Sequence, residues 1–404
     1  MTGNSLIYRM LNDTRSRSLF FQFLLLFGIA FGLWWIVDNT ITNLGAQNKS
    51  VGFGFLFQTA GFQINSTLGT WLFDYEAGAS TYLDVYYIGI VNTFVVAFFG
   101  IFAATVLGFA LGIMRLSQNF VLRIFATSYI EVVRNVPLLL QLFFWYFAVL
   151  RALPNKRGKI EIIPDVIGIN ITGLYLPAPI PADGFMATVI AFGIAILLTM
   201  GINRFAKKRQ QATGQAFPAF WAGLGVLIAL PMLVFVATGS PLTWETPLFK
   251  ETGPILRRGY QSGVGMAVIP EMMAVWLALS LYTAAFIAEI VRAGILAVNK
   301  GQTEASLAIG LKPGKVLQLV IIPQAMRIII PPLTSQYLNL TKNSSLAVAI
   351  AYPELVSIFA GTALNQVGKE IEMVFMMMSV YLTFSILTAM FMNWFNSRVK
   401  LIER

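Results

Sequence analysis

Cysteine and histidine are missing from the chain altogether. Their absence excludes disulfides, thiolate metal sites, cysteine or histidine nucleophiles and imidazole general bases. Charge is scarce as well. Asp, Glu, Lys and Arg together supply 11% of the residues, where a soluble domain carries about 25%. Hydrophobic residues supply 57% and come in long charge-free blocks, which need lipid rather than water around them. The phosphate-cradling pattern G-x-x-x-x-G-K-[ST] is not found: residues 310–315 read GLKPGK, too short a loop and followed by Val316. No carboxylate pair stands beside a nucleophile or a set of metal ligands, which argues against a membrane enzyme. No tandem repeat or low-complexity tract occurs.

What is present is a series of apolar blocks. A helix needs about 20 residues to cross the hydrocarbon of a bilayer. Eight blocks meet that length or come near it: 18–37, 85–114, 135–150 (extended backwards to 132), 185–203, 217–238, 272–288 (running on towards 298), 328–350 and 373–397. Arg9, Arg15 and Arg17 precede the first, and no small-x-small cleavage site follows a short apolar core, so it reads as a retained anchor. The expected fold is an all-α integral membrane protein with about eight transmembrane helices. The 28 Lys+Arg exceed the 18 Asp+Glu, and their placement fits cytoplasmic loops rather than a nucleic-acid partner. With the N-terminus inside, the inside segments hold 18 basic residues and the outside segments 9, Lys342 falling within a span. That bias puts both termini on the cytoplasmic side and gives an even number of spans. Pro154, Pro164, Pro177, Pro179 and Pro181 punctuate the loop after the third block, and Pro241, Pro247 and Pro254 the loop after the fifth. These loops read as extended or turning backbone.

One inside loop carries more information than the rest. Residues 301–323 read GQTEASLAIGLKPGKVLQLVIIP. The stretch 303–308 predicts a short helix with small residues at Ala305, Ser306 and Ala308. Gly310 suits the left-handed conformation that ends helices, Lys312-Pro313-Gly314 forces a turn, and 315–322 restarts as a helix with Pro323 where the seventh block begins. Two short helices about a sharp turn make a knob. On these residues alone it is either a docking knob for a partner or an amphipathic loop at the membrane interface.

The pattern Glu304-Ala305-Ser306, three residues, Gly310, nine residues, then Val320-Ile321-Ile322-Pro323 resembles the EAA loop of ABC importer permeases. Ser306 replaces the second Ala of that family's pattern, Val320 an Ile and Ile322 a Leu. The likeness extends over about 86–395. Tyr87-Ile88-Gly89 with Asn92-Thr93, the run YIEVVRNVPLLLQ at 129–141, LYTAAFIAEIVRAG at 281–294, PQAMR at 323–327 and KNSSL at 342–346 resemble segments of the polar amino-acid permeases, the histidine and glutamine type. Asn135 stands where those permeases usually have Gly. The overall build is similar to the general L-amino-acid importer permeases of Gram-negative bacteria.

The resemblance implies a type-1 importer core of five helices, matched by the second, third, sixth, seventh and eighth blocks. It implies a domain 1–85 with the anchor and a periplasmic segment, a transmembrane domain 86–396 whose insertion 151–270 adds a helical hairpin, and a cytoplasmic tail 397–404. Glu304, Ala305, Ser306 and Gly310 would then couple the chain to a cytoplasmic ABC ATPase dimer, which holds ATP and Mg. The chain itself would bind no cofactor or metal and catalyse nothing. A periplasmic amino-acid-binding protein and a second homologous permease, or a second copy, complete the implied assembly, which moves polar or general L-amino acids inward by alternating access. The alternative is a secondary transporter or channel for small polar solutes, in which the knob has no ATPase to serve.

Polar residues at membrane depth are costly and face a bundle interior or a water-filled path. In the seventh block Gln336, Asn339 and Asn343 recur at i, i+3 and i+7, with Ser335 and Lys342 beside them, on one broad helical face. Lys342 lies roughly 22 Å beyond Arg327 by helical rise. Amides supply acceptors for an ammonium and donors for a carboxylate, and Lys342 adds a charged donor, so Gln336, Asn339, Lys342 and Asn343 are candidates for a substrate path. In the opposing reading they satisfy one another, and Lys342 pairs with a helix end or snorkels. Pro331-Pro332 is expected to kink or interrupt this helix. Glu131/Arg134 and Glu289/Arg292, each at i, i+3, are expected as helical ion pairs. Gly100, Ala104, Gly108 and Gly112 form a seam for close helix approach, within the molecule in preference to between subunits.

Overall fold

The computed structural model describes residues 14–46 and 52–399. Arg9, Lys49, Lys400 and Arg404 of the charge count, and the tail beyond Val399, lie outside the described residues. Helix α1 (Thr14–Ala46) comes first, and its apolar window has no buried residue. Then follow α2 (Tyr82–Arg115), α3 (Phe120–Asn135), α4 (Leu138–Phe143), α5 (Phe185–Thr213) and α6 (Ala219–Ala237). After these come α7 (Pro270–Leu296), the short α8 (Lys300–Ala308) and α9 (Pro313–Val316), α10 (Ile322–Asn343) and α11 (Glu370–Val399). Seven helical stretches among the described residues are long and apolar enough to cross a membrane, and the bent pair α3/α4 makes eight if it counts as one span.

That bent pair departs from the straight block read at 135–150. The two halves meet at 106°. Pro137 has no N–H to continue α3 and pushes Val136 into extended backbone (φ −97°, ψ 129°). The Gln141 amide braces the corner, donating to the Val133 carbonyl at 2.8 Å and the Val136 carbonyl at 2.9 Å. Beyond α4 the helix loosens into a π segment, Phe144–Val149, and closes with a tight turn at Leu150–Ala152.

Helix α2 shows how composition sets packing. Phe94, Phe98 and Phe102 are exposed on one face and Val96, Gly100, Ala104 and Gly108 buried on another. A Cβ at Gly108 would stand 2.6 Å from Ile287, and one at Gly112 would stand 2.7 Å from the Ala288 carbonyl. The seam therefore docks α2 on α7 inside the molecule, and a Cβ at Gly100 would stand 3.2 Å from Leu340 of α10. Helix α7 packs on α10, and α10 on α11. Helices α5 and α6 form their own hairpin, pinned where the Thr199 hydroxyl donates to the Gly223 carbonyl at 3.2 Å.

The loops after the third and fifth blocks are not plain coil. They contribute a four-stranded antiparallel sheet and two strand pairs. Strands β1 (Ile160–Ile163), β2 (Ile167–Asn170) and β3 (Gly173–Leu176) make a meander, and β4 (Ala178–Pro181) pairs with β5 (Leu242–Glu245). Prolines at 179 and 181 restrict β4 to such an edge pairing. Strand β6 (Phe249–Lys250) pairs with β7 (Gly259–Tyr260), and β8 (Met266–Val268) joins β3. Buried Asn170 ties the β2–β3 turn, its Oδ1 accepting from the Thr172 amide at 2.9 Å.

Between α10 and α11 the chain turns a buried corner. Ala351 takes φ +56°. The Glu354 carboxylate, fully buried, accepts from the amides of Val356 (2.8 Å) and Ser357 (2.7 Å) and from the Tyr381 hydroxyl (3.0 Å). Asn92 links the corner to α2 by donating to the Pro353 carbonyl at 2.7 Å.

Candidate functional site

The knob read at 301–323 is formed by α8 and α9. Asn299 caps α8, its Oδ1 accepting from the Gly301 amide at 2.8 Å. Gly310 takes φ +84°, a conformation open to glycine and strained for other residues. Pro313 then opens α9 at a position that needs no donor. A π turn at Leu317–Ile321 joins α9 to α10, and α10 runs helical through Pro331 and Pro332. The expected interruption does not occur there; the helix tightens into a 3₁₀ segment only at Ser344–Ile350. The whole stretch Pro313–Ile350 is one span of 38 residues, about 57 Å long at helical rise.

Exposure sorts the knob residues. Glu304, Ala305 and Gly310 are exposed, as are Leu307 and Ile309, the last at 79%. Ser306 faces inward: it is buried and its hydroxyl donates to the Gln302 carbonyl at 2.6 Å. Gln324 reaches back from α10 and donates to Gln302 Oε1 at 3.4 Å, so the knob and the long helix touch directly.

An ionic cluster joins the ends of α2, α3 and α7. Arg115, the last residue of α2, donates to Glu289 of α7 at 2.5 Å and to Glu131 of α3 at 3.1 Å. Glu289 also pairs with Arg292 at 2.5 Å, as its spacing suggests. Glu131 does not pair with Arg134. The glycine seam brings the end of α2 close enough for Arg115 to take Glu131, and Arg134 lies over the Phe286 ring at 5.1 Å. Sequence reasoning missed Arg115, whose only signal was a cation in the last turn of a helix.

The polar face read on the seventh block lies on α10. Ser335, Asn339 and Lys342 are exposed, and Gln336 and Asn343 half-buried. Ala325, Ile329, Leu333, Tyr337 and Leu340 fill the core on the other side, where the Tyr337 and Thr105 hydroxyls meet at 2.8 Å. The side chains of Gln336, Asn339, Lys342 and Asn343 make no hydrogen bond within the described residues. The structure thus brings the four together on one helix, at the opposite end from the knob.

Comparison with known proteins places this geometry. Residues 211–401 match the family described as binding-protein-dependent transport system inner membrane component. Over 395 residues the chain is 49% identical to a general L-amino acid transport system permease of Rhizobium johnstonii, covering 97% of this chain and 94% of that protein. The chain belongs to the polar amino-acid ABC transporter permeases. The permease is also 46% identical to a putative amino-acid ABC transporter permease of Escherichia coli, over 96% of this chain and 95% of that one. It is 37% identical to a glutamate/glutamine/aspartate/asparagine transport system permease of Rhodobacter capsulatus, over 98% and 96%. The permease is a multi-pass inner-membrane subunit and is not itself catalytic.

Proposed function

We propose that the permease passes L-amino acids inward by alternating access, driven by a separate cytoplasmic ABC ATPase dimer that holds ATP and Mg, and fed by a periplasmic amino-acid-binding protein. The observation that carries this reading is the continuous helix from Pro313 to Ile350. One end is an elbow with exposed Leu307 and Ile309 beside it; the other presents exposed Asn339 and Lys342. A push on the elbow reaches the polar face along one unbroken run of helical turns, through the π turn at Leu317–Ile321. Glu304, Ala305 and Gly310 supply the surface that meets the ATPase, and Ser306 holds α8 against its own turn. Exposed amides and an ammonium are costly against lipid, which favours a second permease, homologous or identical, across the path from Gln336, Asn339, Lys342 and Asn343. The elbow and both termini are read as cytoplasmic. The core is read as five helical spans in 86–396, with 1–85 as anchor and 151–270 as an insertion.

Deleting 304–310 tests the reading. The shortened chain is expected to remain in the membrane, to lose the co-purifying ATPase and to stop ATP-dependent uptake. An ATPase that still co-purifies in full would end it.

A further inference from the structure

A cavity of about 430 Å³ opens at the end of the permease away from the elbow. Its walls come from separate segments: Asn65 and Ser66, the end of the α4 helical run at Tyr146 and Arg151, the β2–β3 turn and β3 at Thr172 and Tyr175, and the first turn of α7 at Glu271. Volumes of about 300–1,000 Å³ are usual for small-molecule sites. Tyr146 is buried between two opposite charges. Its hydroxyl donates to Glu271 Oε1 at 2.9 Å and accepts from Arg151 Nη2 at 3.3 Å. The Arg151 guanidinium also lies over the Tyr146 ring at 5.3 Å.

Arg151 and Glu271 do not form a direct ion pair, because the phenol stands between them. A guanidinium carries five donors, and a carboxylate accepts several hydrogen bonds. Within the described residues each of these side chains spends only one, on Tyr146. The pair is therefore held apart with unspent capacity, one donor group and one acceptor group lining the same cavity. Arg151 is exposed and Glu271 half-buried, so both keep open faces toward the cavity.

We propose that this cavity is a binding site for the zwitterionic head of a free α-amino acid at the outer mouth of the permease. The α-carboxylate takes the Arg151 fork, the α-ammonium donates to Glu271, and the Tyr146 hydroxyl fixes the spacing. The site has one charge of each sign, so it favours a zwitterion over a simple anion or cation. It reads only the part that all α-amino acids share, and the amino-acid side chain projects into the space near Ser66 and Thr172. The site thus suits cargo of varied side chain. It rests on the amino-acid reading above.

The chain has no native cysteine, so Ser66→Cys places a single thiol on the cavity wall. In the assembled importer in nanodiscs, L-alanine is expected to slow methanethiosulfonate labelling of that thiol about tenfold, the scale of one charge-assisted contact. N-acetyl-L-alanine and L-alaninamide, each lacking one charge, are expected not to protect. Adding Arg151→Gln or Glu271→Gln is expected to abolish protection, and adding Lys342→Met to leave it. Labelling indifferent to L-alanine, equal protection by the blocked analogues, or protection that survives both Gln variants would overturn the site. If amino-acid uptake persists alongside that result, only the mouth site falls; if the wild-type complex moves no amino acid, both readings fall.

Discussion

Lys342 stands exposed on α10 while the opposite face of the same helix fills the core. A cation there either meets cargo or merely reaches for water, and transport kinetics separate the two. Lys342→Met is expected to cut uptake at least tenfold with assembly unchanged; unaltered uptake removes this side chain from the path. Glu354 raises a different question, since it lies between spans. Burial pushes its carboxyl up to about 7 from 4.5, against the pull of the Val356 and Ser357 amides and the Tyr381 hydroxyl. A carboxyl that holds its proton more tightly when folded stabilises most below the unfolded value and loses that stability as pH rises through the folded one. The stability lost in Glu354→Gln is therefore expected to be larger at about pH 5 than at about pH 8, measured as the difference in Tm from wild type. A penalty that ignores pH would show that the corner does not titrate.

Helices α2 and α7 are held by close backbone approach at Gly108 and Gly112. At Gly108 the room for one methyl group is already taken by Ile287. Gly108→Val should cost about 1–3 kcal/mol through overpacking, seen as a lower Tm of the purified complex; an unchanged Tm would place the seam elsewhere. The elbow was legible in the sequence because its chemistry is local: Gly310 meets a positive φ and Pro313 starts a helix; the Asn299 cap, which starts α8 at Lys300 and not at 303, was not read. The position of α10 as an amphipathic helix was legible too, from the spacing of Gln336, Asn339 and Asn343. The Arg115–Glu131 link was not, since it depends on how far the seam slides α2 along α7, and i, i+3 spacing offered Glu131 a nearer partner. Pro137 was visible, but the apolar run on either side hid the 106° corner. The paired prolines at 331 and 332 do not interrupt α10, which stays helical through both.

At the scale of the whole molecule, hydropathy sufficed for the spans because lipid demands long apolar helices. It said little of the strands, whose pairing joins residues as distant as Leu174 and Val268. A reporter active only outside the cytoplasm, fused after Ala178 in β4, is expected to be active; inactivity would reverse the proposed orientation. The same β3–β8 pairing has a mechanical consequence. Only Ile269 separates β8 from α7, and α7 is a single helix of 27 residues that ends three residues before α8 begins. The sheet is thereby bolted to a shaft about 40 Å long whose far end turns into the knob. In the orientation proposed above, a load on the strands would tilt that shaft and be felt at the knob as through one rigid crank.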